Sequence, residues 1–179
     1  MSYSRDEQAT LLSIALDSIN SGLHHGKPVR LNSADYSTSL AAQRASFVTL
    51  KHGETLRGCI GSLEPRTSLV ESIADNAYAA AFSDPRFPAL DPSEVEDLSI
   101  EVSVLSPMEP VSVTSEQELL DKMMPGEAGW LLQENGYRGT FLPSVWDSLG
   151  KPAEFLRQLK MKAGLTPDYW SDTLQIWRY

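Results

Sequence analysis

WLLQENGYRGTFL, residues 130–142, contains the strongest hairpin signal in the chain. Asn135-Gly136 lies between two segments, 130–134 and 137–142, that are rich in apolar and aromatic residues. Asparagine and glycine tolerate the positive φ angles that a type I′ turn requires at both central positions. The stretch therefore predicts two antiparallel strands joined by a tight turn.

Further strands are predicted on the N-terminal and C-terminal sides of this hairpin. Residues 45–50 and 55–60 flank His52-Gly53, and glycine accepts positive φ, so a second hairpin is expected. In residues 98–105 every second residue is apolar, which predicts a strand with one buried face. Residues 173–179 alternate again and predict a final strand.

Helices are predicted at four places. Capping-box patterns begin at Ser4 and Ser68, the first preceding a helix over 5–21 that ends near Gly22. A short helix is expected after Ser115, and proline at its start and glycine past its end bound another over 152–163. Residues 24–39 are predicted to form a loop.

Helices interspersed with antiparallel strands predict an α+β fold, mainly antiparallel, with residues 1–179 as a single domain. No series of βαβ units with a glycine-rich dinucleotide loop is visible, which argues against a Rossmann fold.

Composition and charge restrict the function classes. The 179 residues carry a formal net charge of −9, and the 15 lysines and arginines are scattered along the chain. That balance disfavours binding to nucleic acid or to an acidic membrane. One cysteine excludes an internal disulfide, and neither a signal peptide nor a membrane-spanning segment is visible, so a cytoplasmic protein is expected.

The segment LRGCIG, residues 56–61, contains the single cysteine. The side-chain period of a strand predicts Arg57 and Cys59 on one face, where a guanidinium would favour the thiolate. Gly58 and Gly61 would let another backbone or a ligand approach closely. One interpretation is a nucleophilic Cys59. The other is a cysteine packed as a small hydrophobe, with glycines that form a bulge.

Two further segments offer charged candidates. Asp84 is predicted to cap a turn, and Arg86 could instead hold a carboxylate or phosphate. Glu101 lies on the polar side of its strand, where it is either solvated or, if that side lines a cleft, a general base. The three histidines lack metal-ligand spacing, so no metal or cofactor is predicted, although a carboxylate site using Asp84, Asp97 or Glu101 is left open.

These motifs resemble the AMMECR-type domain, protein A of the AmmeMemoRadiSam system. The resemblance covers about residues 7–179 and depends on six segments in the same order: FVTL (47–50), LRGCIG (56–61), AAFSDPRF (80–87), IEVSVL (100–105), RGTFLPSV (138–145) and KAGL (162–165). It implies an α+β fold with a larger lobe, a smaller lobe and a groove between them. It also implies a cytosolic protein with a Memo-like protein and a radical S-adenosylmethionine protein as partners, and no established reaction.

The site implied by the resemblance consists of Arg57, Cys59, Asp84, Arg86 and Glu101. Many relatives carry a histidine in a Gly-x-His-Gly segment, where this chain has Ala128 between Glu127 and Gly129. A mechanism that uses that histidine is therefore in doubt here.

Two functions from different classes follow. The first is an enzyme or enzyme component, with Cys59 as nucleophile or redox thiol and Glu101 as base. In this hypothesis the ligand-binding residues are Arg57, Gly58, Gly61, Asp84 and Arg86. The second is a non-catalytic binding or adaptor module for a peptide, a nucleotide or a partner protein. One cysteine cannot hold an iron–sulfur cubane, so a radical enzyme in its own right is excluded.

Overall fold

The two hairpins predicted from the sequence are both present, one in each of the two units into which the chain divides. The structure is a computed structural model that describes residues 3–179. The first unit comprises residues 1–106 and the second residues 107–179. Each has its own apolar core, and the two cores share no residue.

The first unit contains a three-stranded antiparallel sheet in the order β2-β1-β3. Its strands are β1 (Ser46–His52), β2 (Thr55–Gly61) and β3 (Leu98–Val104). The helices are α1 (Arg5–His25), α2 (Thr38–Ala41) and α3 (Leu69–Phe82), with 3-10 turns at Ser33–Asp35 and Pro92–Asp97.

The core of this unit lies between one side of the sheet and helices α1 and α3. Val48 and Leu50 of β1 are fully buried there. Four alanines of α3 are buried in the same cluster, and their small side chains allow the helix to approach the sheet closely.

The other side of the sheet carries polar residues. The register aligns Cys59 of β2 with Thr49 of β1, and Thr49 with Glu101 of β3. We use the term polar face for Thr49, Lys51, Cys59, Ser99, Glu101 and Ser103, all of which are exposed or half-buried. This face holds the only thiol in the chain.

The second unit contains a four-stranded antiparallel sheet in the order β4-β7-β5-β6. The strands are β4 (Glu109–Pro110), β5 (Trp130–Glu134), β6 (Tyr137–Phe141) and β7 (Gln175–Arg178). The helices are α4 (Glu116–Lys122), α5 (Trp146–Leu149) and α6 (Pro152–Ala163), with a 3-10 turn at Pro143–Val145. In the core, the Trp146 ring stacks on Phe155 with centroids 3.8 Å apart.

Most predicted elements are confirmed, and the differences have local causes. Asn135 and Gly136 have φ angles of 47° and 88°, as the predicted type I′ turn requires. Helix α1 continues past Gly22, because this glycine packs against the Phe82 ring, and it ends at Gly26, whose φ is 66°. The predicted loop over 24–39 contains the end of α1, the turn Ser33–Asp35 and the start of α2.

None of the helices within residues 3–179 combines the length and the apolar character needed to cross a membrane.

Candidate functional site

Cys59 lies on β2, an edge strand that pairs only with β1 in the part of the chain that the structure describes. Its outward backbone groups are bound by the segment that follows α3. The Cys59 N–H donates to Asp84 Oδ2 at 2.9 Å, and Arg86 Nη2 donates to the Cys59 carbonyl at 3.1 Å. Asp84 and Arg86 thus occupy the place that a neighbouring strand would take and fix the backbone of the thiol residue.

Asp84 and Arg86 also form an ion pair with two hydrogen bonds. Arg86 Nε donates to Asp84 Oδ1 at 2.9 Å, and Nη2 donates to Oδ2 at 2.7 Å. The Asp84 side chain is only 1% exposed. The Arg86 hydrogen bonds, helped by the Cys59 and Arg86 N–H groups, hold the pKa of Asp84 well below its usual range.

The predicted turn at Asp84 is confirmed. Its Oδ1 accepts from the Arg86 N–H, and its carbonyl accepts from the Phe87 N–H at 3.1 Å.

Arg57 is not positioned as strand alternation predicts. Leu50 aligns with Gly58 but Lys51 aligns with Leu56, so Arg57 is the extra residue of a β-bulge. Its guanidinium forms a fork with Glu94 of the Pro92–Asp97 turn, at 2.7 Å from Nε and 2.9 Å from Nη2. This correction removes Arg57 from the role of thiolate partner, because the bulge breaks the period on which that role depended.

The Arg57–Glu94 pair has several neighbours. His52 Nδ1 lies 3.9 Å from Glu94 Oε1, and Arg57 Cζ lies 5.9 Å from the centre of the Phe87 ring. Arg57 keeps the pKa of Glu94 at about 2, mainly through the hydrogen bonds that it donates. The cluster joins β2 to the turn before β3, which gives Arg57 a structural role.

Arg86 is the cation next to the thiol. Its pKa is raised, first by hydrogen bonding to Asp84 and in smaller part by Cys59. The Thr49 hydroxyl also donates a hydrogen bond to Cys59 Sγ, at 3.2 Å. The half-buried thiol therefore has both a hydroxyl and a guanidinium as neighbours.

Glu101 lies on the polar face but not beside Cys59. Thr49 stands between them in the cross-strand row, and two strand spacings amount to roughly 10 Å. Direct proton transfer needs a heavy-atom separation of about 3 Å. Lys51 Nζ binds Glu101 at 2.6 Å, and the carboxylate is 56% exposed. Glu101 is therefore too far from the sulfur to take a proton from Cys59 directly, and its role as a general base toward a substrate stays a prediction.

The two glycines have close protein neighbours. A Cβ at Gly58 would lie 2.1 Å from the Ala80 carbonyl oxygen of α3. One at Gly61 would lie 2.3 Å from the Ser46 carbonyl oxygen and 2.4 Å from the Phe47 ring. Close approach of another backbone is therefore observed at both glycines, and their role in ligand binding stays a prediction.

No group of three or more His, Cys, Asp or Glu side chains within residues 3–179 is placed to hold a metal ion.

Comparison with known proteins establishes the family. A sequence model of the AMMECR1 family matches residues 12–179. The chain belongs to the AMMECR1 family. It is 39% identical over 178 residues to a protein of Methanothermobacter thermautotrophicus, covering 98% of this chain and 92% of the relative. It is 41% identical over 172 residues to a protein of Sulfolobus acidocaldarius, covering 89% of this chain and 72% of the relative.

A solved structure supports the fold. The crystal structure of an uncharacterised protein from Pyrococcus horikoshii matches with a TM-score of 0.86 at 33% sequence identity. The match covers 94% of this chain and 86% of the archaeal one. The α+β class predicted from the sequence is confirmed, and the lobes and groove implied by the AMMECR resemblance stay predictions.

Two residues of the candidate site are not predicted from the sequence of this AMMECR1-family chain. Thr49 binds the sulfur across strands, and Glu94 binds Arg57 from 37 positions away. Asp91 and Glu94 do form a capping box, which is a local signal for the turn, but nothing local indicates its arginine partner. Ala128, the position at which the AMMECR resemblance led us to expect a histidine, lies in the second unit, and its carbonyl accepts from Trp146 Nε1 at 2.8 Å.

Proposed function

We propose that this protein is an enzyme, or the thiol-carrying component of an enzyme system, with Cys59 as its nucleophile or redox thiol. The observation that carries the proposal is the position of Cys59 on the polar face. Its backbone is clamped by Asp84 and Arg86, and its sulfur accepts from Thr49 beside the Arg86 cation. A neighbouring guanidinium and partial exposure are the surroundings in which cysteine thiolates react.

Arg86 supplies the second contact that a substrate needs. Its Nε and Nη2 bind Asp84 and the Cys59 carbonyl, and 53% of the side chain is exposed to solvent. An arginine nitrogen held in place in this way suits a carboxylate or phosphate group. The substrate would therefore place its anionic group on Arg86 and its electrophilic atom next to Cys59 Sγ.

Glu101 enters this proposal in a modified role. Since Thr49 separates it from the sulfur, it can act as a base only on a substrate group that extends along the cross-strand row. Its ion pair with Lys51 makes electrostatic contact with such a group an equally direct role.

The family resemblance supplies the proposed partners, a Memo-like protein and a radical S-adenosylmethionine protein. In this proposal they generate or consume the group that Cys59 handles, because one cysteine cannot itself hold the iron–sulfur cluster that radical chemistry uses.

A non-catalytic binding or adaptor module is the second candidate, and one observation favours it. The charged residues nearest the thiol are engaged with each other as Arg86–Asp84, Arg57–Glu94 and Lys51–Glu101. A nucleophilic cysteine usually has an adjacent base. In an adaptor, these pairs would be structural and the polar face would bind a partner.

Cys59→Ser tests the two candidates in cells that lack the natural gene. We expect the variant to fold like the wild type and to co-purify the Memo-like and radical-type partners as well as the wild type does. It should nevertheless fail to reverse the phenotype caused by loss of the gene. Ser103→Ala, a change on the same polar face, should restore it fully. Full restoration by Cys59→Ser would reject the enzyme and leave the adaptor.

A further inference from the structure

The two edges of the sheet in the first unit differ. The outer edge of β2 is covered, because Asp84 and Arg86 bind the outward N–H and C=O groups of Cys59. At the opposite edge, β3 pairs only with β1 in the part of the chain that the structure describes. An uncovered strand edge is a template for a further strand. We use the term β3 edge for the side of β3 that faces away from β1.

The strand register shows which backbone groups lie at the β3 edge. The Leu105 N–H donates to the Ala45 carbonyl, and successive antiparallel pairs alternate between bonded and non-bonded positions. The N–H and C=O groups of Ile100, Val102 and Val104 therefore point away from β1. Within residues 3–179, no hydrogen bond reaches these groups. The edge thus presents three donors and three acceptors in the spacing that another strand requires.

An apolar groove of about 450 Å³ lies beside the β3 edge, between this strand and helix α1. Its lining includes Ile100, Val102 and Val104 of β3 and Leu11 and Leu12 of α1. Leu12 is 43% exposed although it is apolar. A fourth strand would lie about 4.8 Å from β3, so its apolar side chains would pack in this groove against α1.

The charge beside the groove favours a basic occupant. Glu101 is the one charged residue among the described residues that line the groove, and its side chain is 56% exposed. Toward an added antiparallel strand, Glu101 occupies a non-bonded position, where opposite side chains lie closest. A basic residue directly opposite would form a cross-strand ion pair. An acidic residue would be repelled by Glu101 and by a chain whose net charge is −9.

We propose that the β3 edge binds an extended segment of a partner protein as a fourth, antiparallel strand. The segment alternates apolar residues, which pack in the groove, with polar ones, and it places a lysine or arginine opposite Glu101. A second copy of this chain fits less well, because its own α1 would lie on the same side of the sheet and meet the first α1. The proposal does not depend on the function proposed for Cys59.

The test uses the full-length protein and a synthetic peptide with blocked ends, Val-Thr-Val-Lys-Val-Thr-Val. Fluorescence anisotropy of the labelled peptide measures the affinity, which we expect to correspond to a Kd of about 10–100 µM. Amide hydrogen exchange locates the binding site. With saturating peptide, the N–H groups of Ile100 and Val102 should exchange about tenfold more slowly. Those of Ser99 and Glu101, which already face β1, should change little.

Val102→Pro removes one outward N–H without breaking a bond to β1, and it should weaken peptide binding about tenfold. Val102→Ile, which keeps the N–H, is the matched control and should bind like the wild type. If the proline variant fails to fold, the exchange measurement on the wild type still decides.

A peptide with glutamate in place of lysine should bind severalfold more weakly, and Glu101→Gln should remove most of that difference. Unchanged exchange at Ile100 and Val102 with saturating peptide, or equal affinities of the lysine and glutamate peptides, would overturn the proposal. So would a folded Val102→Pro variant that binds like the wild type.

Discussion

Gly58 determines how closely the thiol strand approaches the helix behind it. The Ala80 carbonyl oxygen of α3 occupies the position next to where a Gly58 side chain would begin. Any larger residue must push α3 away from β2, which would also move the Asp84 segment that follows α3. The geometry around Cys59 therefore depends on a residue that has no side chain.

Gly58→Ala is expected to destabilise the protein by about 2–3 kcal/mol, because a backbone carbonyl yields less readily than a side chain. Gly26→Ala is the matched control. That glycine has a φ of 66° with open space around it, so the change should cost only about 1 kcal/mol of backbone strain. Urea unfolding of the wild type, Gly58→Ala and Gly26→Ala measures the loss of unfolding free energy in each variant. Equal losses for the two variants would contradict the close-packing role of Gly58.

Sequence patterns identified most of the site residues but not their partners. LRGCIG and the segment around Asp84 were singled out, yet the hydrogen bond from the Cys59 N–H to Asp84 joins positions 25 residues apart. Strand alternation predicts Arg57 beside Cys59. The extra residue in β2 breaks that alternation, and the cation observed next to the thiol is Arg86. Bulges and long-range polar contacts depend on tertiary packing, which residue periodicity does not encode.

Elements with local signals were predicted best. Both hairpins and α6 are confirmed, because turn glycines, proline and caps act within a few residues. The end of α1 was misplaced at Gly22, since packing against Phe82 keeps that glycine inside the helix. The turn Pro92–Asp97 was not predicted, and its attachment to β2 comes from the Arg57–Glu94 fork.

The Arg57–Glu94 pair makes the attachment of this turn sensitive to pH. Glu94 has a pKa of about 2 in the folded protein, below its ordinary 4.5. A carboxylate with a lowered folded pKa stabilises the protein fully above its unfolded pKa. The contribution is lost as pH falls from about 4.5 toward 2. Acid should therefore detach the turn from β2 in this range.

Glu94→Gln is expected to lower the free energy of unfolding at neutral pH by about 2 kcal/mol, because a neutral amide binds the Arg57 guanidinium more weakly than the carboxylate does. The variant should also lose less stability than the wild type between neutral pH and pH 2. Glu154→Gln removes an exposed pair with Arg157 and should have a much smaller effect because solvent screens that pair. Thermal unfolding of the wild type, Glu94→Gln and Glu154→Gln, followed from neutral pH to pH 2, measures these differences in stability. Parallel pH profiles for wild type and Glu94→Gln would show that the fork does not set the acid sensitivity.

At the scale of the whole molecule, the chain has two separate cores and a spectroscopic reporter for each. All four tryptophans (130, 146, 170 and 177) lie in the second unit, whereas the single thiol lies in the first. Tryptophan fluorescence can therefore follow the second unit, and amide hydrogen exchange at the buried β1 residues Val48 and Leu50 can follow the first.

Gly58→Ala is expected to lower the urea midpoint for amide hydrogen exchange at Val48 and Leu50, which are buried in the first core, more than the midpoint for tryptophan fluorescence, because the strain is confined to that core. Wild-type protein measured with both reporters is the control. Equal shifts of the two midpoints would mean that the cores unfold as one cooperative unit.

The function proposed for this protein depends most on the reactivity of Cys59, and alkylation of the native protein measures that reactivity. With one cysteine, the labelling signal has a single source. The rate at which iodoacetamide alkylates Cys59 in the native wild type should be high when it is measured from mildly acidic to alkaline pH. It should fall severalfold at neutral pH in Arg86→Gln and change little in Arg57→Gln, because only Arg86 lies beside the thiol. A thiol that reacts only after denaturant is added, or equal rates in wild type and Arg86→Gln, would contradict the role proposed for Cys59.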